Sequence, residues 1–135
     1  MFLASSISLW QILIPVGLGL LLGVLLSGSR KNDYSKIVRL NPDEFRQNMR
    51  KGQLLDLRPA EAFALRRING SRNFPKMSVF GDLGKIRKDL PVFVYDEADS
   101  LLVRRLTRKL VRKGFVRVYV LIGGLAKYPF SLKEE

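Results

Sequence analysis

The chain of 135 residues contains neither cysteine nor histidine. That double absence removes disulfides, thiolate and imidazole metal sites, a lipid-modified cysteine, and the commonest nucleophile and base pairings of enzymes. Any catalysis must then come from Asp, Glu, Ser, Thr, Tyr, Lys or Arg. Charge is also missing from the whole amino-terminal stretch, where the first ionised side chain is Arg30. All 24 Lys and Arg residues lie at or after it, against 12 Asp and Glu, so a net charge of +12 belongs to the remainder. Neither an internal repeat nor a low-complexity tract is visible.

The uncharged start holds ISLWQILIPVGLGLLLGVLL, Ile7 to Leu26, with only Ser8 and Gln11 as polar side chains. As a helix rising about 1.5 Å per residue, this run matches a hydrocarbon core of roughly 30 Å. Residues 1–27 are therefore expected to be a transmembrane anchor, with the lipid bilayer as partner through residues 7–26. A cleaved signal peptide is the rival reading, since Ser27 and Ser29 could flank a cleavage site, but the usual positive n-region is missing. Arg30, Lys31, Lys36 and Arg39 directly follow the run. The positive-inside rule then places the amino terminus outside and the remainder in the cytoplasm, as a single-pass protein of the cell membrane. Gly19 and Gly23, extended by Ser27, form a small-residue pattern that could let a second helix approach.

Residues 28–36, GSRKNDYSK, read as a juxtamembrane linker, residues 37–130 as one folded domain and residues 131–135 as a tail. Ile37 to Leu40 is a strand candidate. Asn41, Pro42 and Glu44 make a capping box that starts a helix to about Lys51, closed by Gly52. Gln53 to Leu57 reads as the next strand, Pro59 to Leu65 as a short helix, Asn69-Gly70 as a turn and Arg72 to Phe74 as a brief strand. Met77 to Asp89 is mixed, with room for one helical turn. Val92 to Tyr95 is an apolar strand of the kind buried on both faces, and Asp96 to Asp99 a loop. Ser100 to Lys113 is a helix stopped by Gly114, Val116 to Leu121 the last strand, and Gly123-Gly124 leads into a short turn ending near Tyr128. Strands alternating with helices predict an α/β fold with a central parallel sheet.

Three segments in order resemble the rhodanese family. LLDLRPAEAFALRRINGSRNFP, Leu54 to Pro75, is similar to its L-D-x-R, acidic-x-F, H-I-x-G-A-x-N-x-P pattern through Asp56, Arg58, Glu61, Phe63, Ile68, Gly70, Asn73 and Pro75. VFVYDEADS, Val92 to Ser100, stands where the family has its loop strand and active-site loop. GFVRVYVLIGGLAKYP, Gly114 to Pro129, is similar to G-F-x-x-V-x-x-L-x-G-G-x-x-x-W. The resemblance covers nearly all of residues 37–129 and implies a rhodanese-like domain whose parallel sheet is flanked by helices.

The departures bear on chemistry. The resemblance puts the family's catalytic cysteine, which carries a sulfane sulfur, at Asp96, and its H-I-x-G histidine at Arg67. A carboxylate cannot form a persulfide. An active loop of this kind aims backbone amides and a helix amino end at an anion, whereas Asp96, Glu97 and Asp99 repel one. The degenerate loop Asp96, Glu97, Ala98, Asp99, Ser100 is read instead as an acidic cap on a basic helix, with Asp99 or Ser100 as N-cap contributing about 1 kcal/mol. The string DEAD also evokes RNA helicases, but the phosphate cradle such enzymes need is absent; Gly81 to Ile86 has the wrong glycine spacing. A phosphoryl-transfer enzyme using Asp96 beside magnesium is the remaining enzymatic alternative. Neither a cofactor nor a metal is called for by any motif.

In SLLVRRLTRKLVRKG, spacing of four puts Arg104, Arg108 and Arg112 on one line and Arg105, Lys109 and Lys113 on the next. Leu102, Val103, Leu106, Leu110 and Val111 are expected to face the core. The cationic stripe suits an anionic lipid surface or an acidic protein partner at about 1 kcal/mol per cation near the surface. A ribosome or RNA contact is the weaker alternative, because the stripe has no interleaved aromatic platform. The expected function is a membrane-tethered binding or scaffolding module without sulfurtransferase activity.

Overall fold

In the computed structural model, which describes residues 6–27, 32–75, 81 and 83–134, the apolar run becomes helix α1, Leu9–Leu26. Gln11 Oε1 accepts from the Ser8 amide at 3.1 Å, satisfying a donor that the first turn leaves open. Eighteen residues give α1 a length of about 27 Å. It is long and apolar enough to cross a membrane. The chain divides into two units, Met1–Lys31, which contains α1, and Asn32–Glu135. Residues 1–5 of the expected anchor, linker residues 28–31, residue 76, residues 77–80 and 82 of the mixed stretch, and the last residue of the tail lie outside the described residues.

The second unit opens on a 3-10 turn, Tyr34–Lys36, held by Asp33, whose carboxylate accepts from the Ser35 amide at 3.1 Å and its hydroxyl at 2.5 Å. Strand β1, Ile37–Leu40, follows. The capping box forms as its residues dictate: Asn41 accepts from the Glu44 amide at 2.9 Å and starts α2, Pro42–Asn48. The last turn tightens into a 3-10 turn, Met49–Lys51, before Gly52. Next come β2, Gln53–Asp56, α3, Ala60–Leu65, β3, Arg66–Arg67, and β4, Arg72–Asn73. Leu83–Lys85 forms one 3-10 turn in the mixed stretch. The chain then runs through β5, Val92–Tyr95, α4, Leu101–Arg112, β6, Val118–Leu121, a 3-10 turn Leu125–Lys127, and β7, Lys133–Glu134.

Five strands form one parallel sheet in the order β1-β6-β5-β2-β4, with Leu55 beside Val94 and Val92 beside Val118. Alternation along each strand divides the core between two faces. Val92, Val94, Val118 and Val120 pack on α4 through Val103, Leu106, Leu110 and Val111. Phe93, Tyr95 and Leu121 turn the other way, toward Phe45 and Met49 after β1 and toward Leu125 and Tyr128. Both faces are covered, so the central strands read as unbroken apolar runs.

Two details differ from the sequence reading. Leu102 is exposed at 37%, and Thr107 takes its place in the buried arc. At about 100° per residue, positions 103, 106, 107, 110 and 111 form one continuous arc and 102 falls at its edge. The residues set aside as a tail include β7, which pairs antiparallel with β3, Arg66 opposite Glu134 and Arg67 opposite Lys133.

Candidate functional site

Strand β5 is buried at all four positions and delivers Asp96 to the carboxyl edge of the sheet, where parallel sheets place their sites. Asp96 is itself buried, 6% exposed. Its Oδ1 accepts from the Glu97 amide at 2.8 Å, and its Oδ2 accepts from the Ser100 hydroxyl at 3.5 Å. Ser100 is the N-cap of α4, its Oγ accepting from the Val103 amide at 3.4 Å. The cap is therefore Ser100, not Asp99. Asp99 instead pairs with Arg39 on β1. Glu97 reaches the other way, to Arg58 Nη1 at 3.3 Å. Ala98, between them, is exposed.

The three carboxylates thus have three separate sets of partners. Asp96 is turned onto its own loop, Glu97 onto Arg58 and Asp99 onto Arg39. Where a sulfane-sulfur loop holds its amides open toward an anion, this loop has spent the Glu97 amide on the side chain in front of it.

Arg58 is the residue that sequence reasoning quoted as a motif position without giving it work. It is 3% exposed and clasped by Asp56, itself fully buried: Asp56 Oδ1 accepts from the Arg58 amide at 2.8 Å and Oδ2 from Nη2 at 2.8 Å. Nη2 also donates to the Arg66 carbonyl. Burial works against the guanidinium's charge, but the Asp56 hydrogen bonds and field more than offset it, and the net pKa is raised. The sequence signal was the D-x-R spacing at a strand end, which puts carboxylate and guanidinium within reach of one another.

The loop's carbonyls are tied down from the opposite side. Leu125 N–H donates to the Asp96 carbonyl at 2.8 Å and Ala126 N–H to that of Glu97 at 3.0 Å. This approach requires Gly124, whose φ is 67° and whose added Cβ would lie 2.6 Å from the Glu97 carbonyl oxygen and 2.7 Å from the Ala98 nitrogen. Arg67, at the H-I-x-G position, lies over the Phe63 ring at 4.7 Å and donates to its carbonyl at 3.2 Å. The Tyr95 hydroxyl donates to Ser71 Oγ at 3.0 Å and accepts from the Ile68 amide at 3.2 Å, fixing the turn beside β5. Burial pushes its pKa well above the usual tyrosine range.

On α4, Arg104, Arg105, Arg108, Arg112 and Lys113 are exposed, and Lys109 is half-buried. They share the surface opposite Leu106 and Leu110, as the periodicity requires. The structure does not merge stripe and loop into one site; the link between them is the Arg39–Asp99 ion pair at the start of α4.

Comparison with known proteins agrees with this geometry. A model of the rhodanese-like domain matches residues 41–129. The uncharacterized protein YqhL of Bacillus subtilis (strain 168) is 34% identical over 96 residues, covering 71% of this chain and 75% of YqhL. The crystal structure of a rhodanese-related protein from Thermoplasma volcanium superposes with a TM-score of 0.66 at 16% identity, covering 73% of this chain and 99% of that one. Saccharomyces cerevisiae Ygr203w, described as a homolog of single-domain rhodanese and of the Cdc25 phosphatase catalytic domain, gives 0.57 at 17% identity, over 73% and 83% of the two chains. With its ordered motifs, its parallel sheet and this match, the chain belongs to the rhodanese-like family.

Proposed function

We propose that the chain is a membrane-anchored rhodanese-like module that binds a partner at the bilayer surface and transfers no sulfur. The observation that carries this reading is Asp96 at the family's nucleophile position, with its carboxylate accepting from Glu97 and Ser100 of its own loop. The engagements of Glu97 with Arg58 and Asp99 with Arg39 give no support to phosphoryl transfer through Asp96. Function then rests on surface and placement. The charge step at Arg30 and Lys31 favours a cytoplasmic domain, and the α4 cations suit an acidic partner there.

The test is thiosulfate-to-cyanide sulfur transfer by the full chain in detergent or proteoliposomes. Background rates are expected, and turnover by the unmodified chain sinks the proposal. Asp96→Cys is expected to give little rescue, because Glu97 and Asp99 occupy the Arg58 and Arg39 guanidiniums that could otherwise draw in an anionic sulfur donor.

A further inference from the structure

Beside β1 and α4 lies a cleft of about 230 Å³ lined by Tyr34, Ile37, Arg39, Arg104, Thr107 and Arg108. Three of its six lining residues are arginines and none is acidic. They come from different parts of the chain: Arg39 from the edge strand, Arg104 and Arg108 from successive turns of α4. The floor contains Thr107, buried and with its hydroxyl donating to the Arg104 carbonyl at 2.9 Å.

Two of the arginines, Arg108 and Arg39, are held in place. The Arg108 guanidinium lies 5.5 Å from the centre of the Tyr34 ring, and that ring is set by the turn that Asp33 caps. Arg39 is anchored through Nη2 by Asp99, which leaves the rest of a five-donor fork for another acceptor. One guanidinium fork binds two oxygens of a carboxylate or a phosphate alike, but three guanidiniums converging on one cleft suit a tetrahedral phosphate, whose oxygens point toward more than one fork at a time. Seven residues lie between Leu26 and Tyr34, eight Cα steps that reach at most about 28 Å, so with α1 inserted in a bilayer the tether holds Tyr34 within reach of headgroups.

We propose that Arg39, Arg104, Arg108 and Tyr34 form a discrete phosphate-binding cleft that takes the headgroup of an anionic phospholipid. This deepens the proposed function and rests on its cytoplasmic placement of the domain. It differs from a diffuse stripe in that position matters, not charge alone.

The test uses the full chain in neutral detergent, with native mass spectrometry reading its affinity for short-chain phosphatidylglycerol, short-chain phosphatidylcholine and inorganic phosphate. One phosphatidylglycerol is expected to bind at least about tenfold more tightly than phosphatidylcholine. The pair Arg104→Gln and Arg108→Gln is expected to weaken it about tenfold, while Arg50→Gln with Arg117→Gln, equal in charge but exposed outside both the cleft and α4, leaves it unchanged. Arg108→Lys keeps the charge and the fold but loses the fork, and is expected to weaken binding too. Asp99→Asn, which removes the competing carboxylate, is expected to tighten it. Equal weakening by the two glutamine pairs overturns the cleft and leaves only diffuse attraction, with the surface reading intact. Equal affinity for the two lipids also overturns it. Tighter binding of inorganic phosphate, displacing the lipid, supports the phosphate chemistry but overturns the headgroup as its source.

Discussion

Gly124 shows how much of the loop depends on one missing side chain. A methyl group there meets three backbone atoms at 2.6–2.7 Å and is attached to a residue at φ 67°. Gly114, the stop of α4, has φ 94° but open space around it. Gly124→Ala is expected to cost about 3 kcal/mol from strain and overpacking together, and Gly114→Ala about 1 kcal/mol from conformation alone. Urea denaturation of the two variants checks the difference, and equal losses would mean that the close approach to Glu97 carries little energy. Tyr95 gives a pH signature. Because burial raises its native pKa, above the ordinary value of about 10 the unfolded chain gives up the proton while the native state keeps it, so stability falls as pH rises. The stability advantage of the wild type over Tyr95→Phe is expected to shrink by about 1 kcal/mol between about pH 8 and about pH 11. A constant difference would show that the hydroxyl titrates as in the unfolded chain.

Among the elements, α4 serves both core and surface. Leu106 is fully buried between sheet and helix, whereas Leu102 sits at the edge of the arc. Leu106→Ala is expected to cost about 2–5 kcal/mol, and Leu102→Ala less than about 1 kcal/mol, in thermal or urea unfolding. A large loss at Leu102 would restore the sequence-based placement of that side chain in the core. The elements that were legible in sequence had strong local chemistry: the capping box of α2, the apolar run of β5, and the glycine that ends α4. Those that were not lacked it. Strands β3 and β7 are two residues each, charged throughout, and pair Arg66 with Glu134 across the chain, so no alternation announces them. The site divides in the same way. Asp96 at the nucleophile position could be read from the ordered motifs, but its turn onto Glu97 and Ser100, and the Asp56–Arg58 clasp that takes Glu97, depend on a loop brought together by the sheet. The cleft beside Tyr34 was hidden because its cations are separated by most of the domain's length in sequence and become neighbours only when β1 packs beside α4.

For the whole molecule, topology comes first. No charge precedes Arg30 and the entire +12 follows it, so external protease on intact cells is expected to spare residues 34–135. Digestion without permeabilisation would reverse the orientation. An inward-facing domain puts the α4 cations beside a leaflet that is anionic in most cells, at an effective concentration set by the tether. The most direct measurement is arginine modification by phenylglyoxal, mapped by mass spectrometry, on the full chain in nanodiscs of neutral or of anionic lipid. Arg104, Arg108 and Arg112 are expected to react several-fold more slowly in the anionic discs, with protection lost as salt shortens the Debye length from about 10 Å at 0.1 M to about 3 Å at 1 M. Equal reactivity of these three arginines in the two bilayers at low salt would contradict a binding module that works at an anionic membrane face.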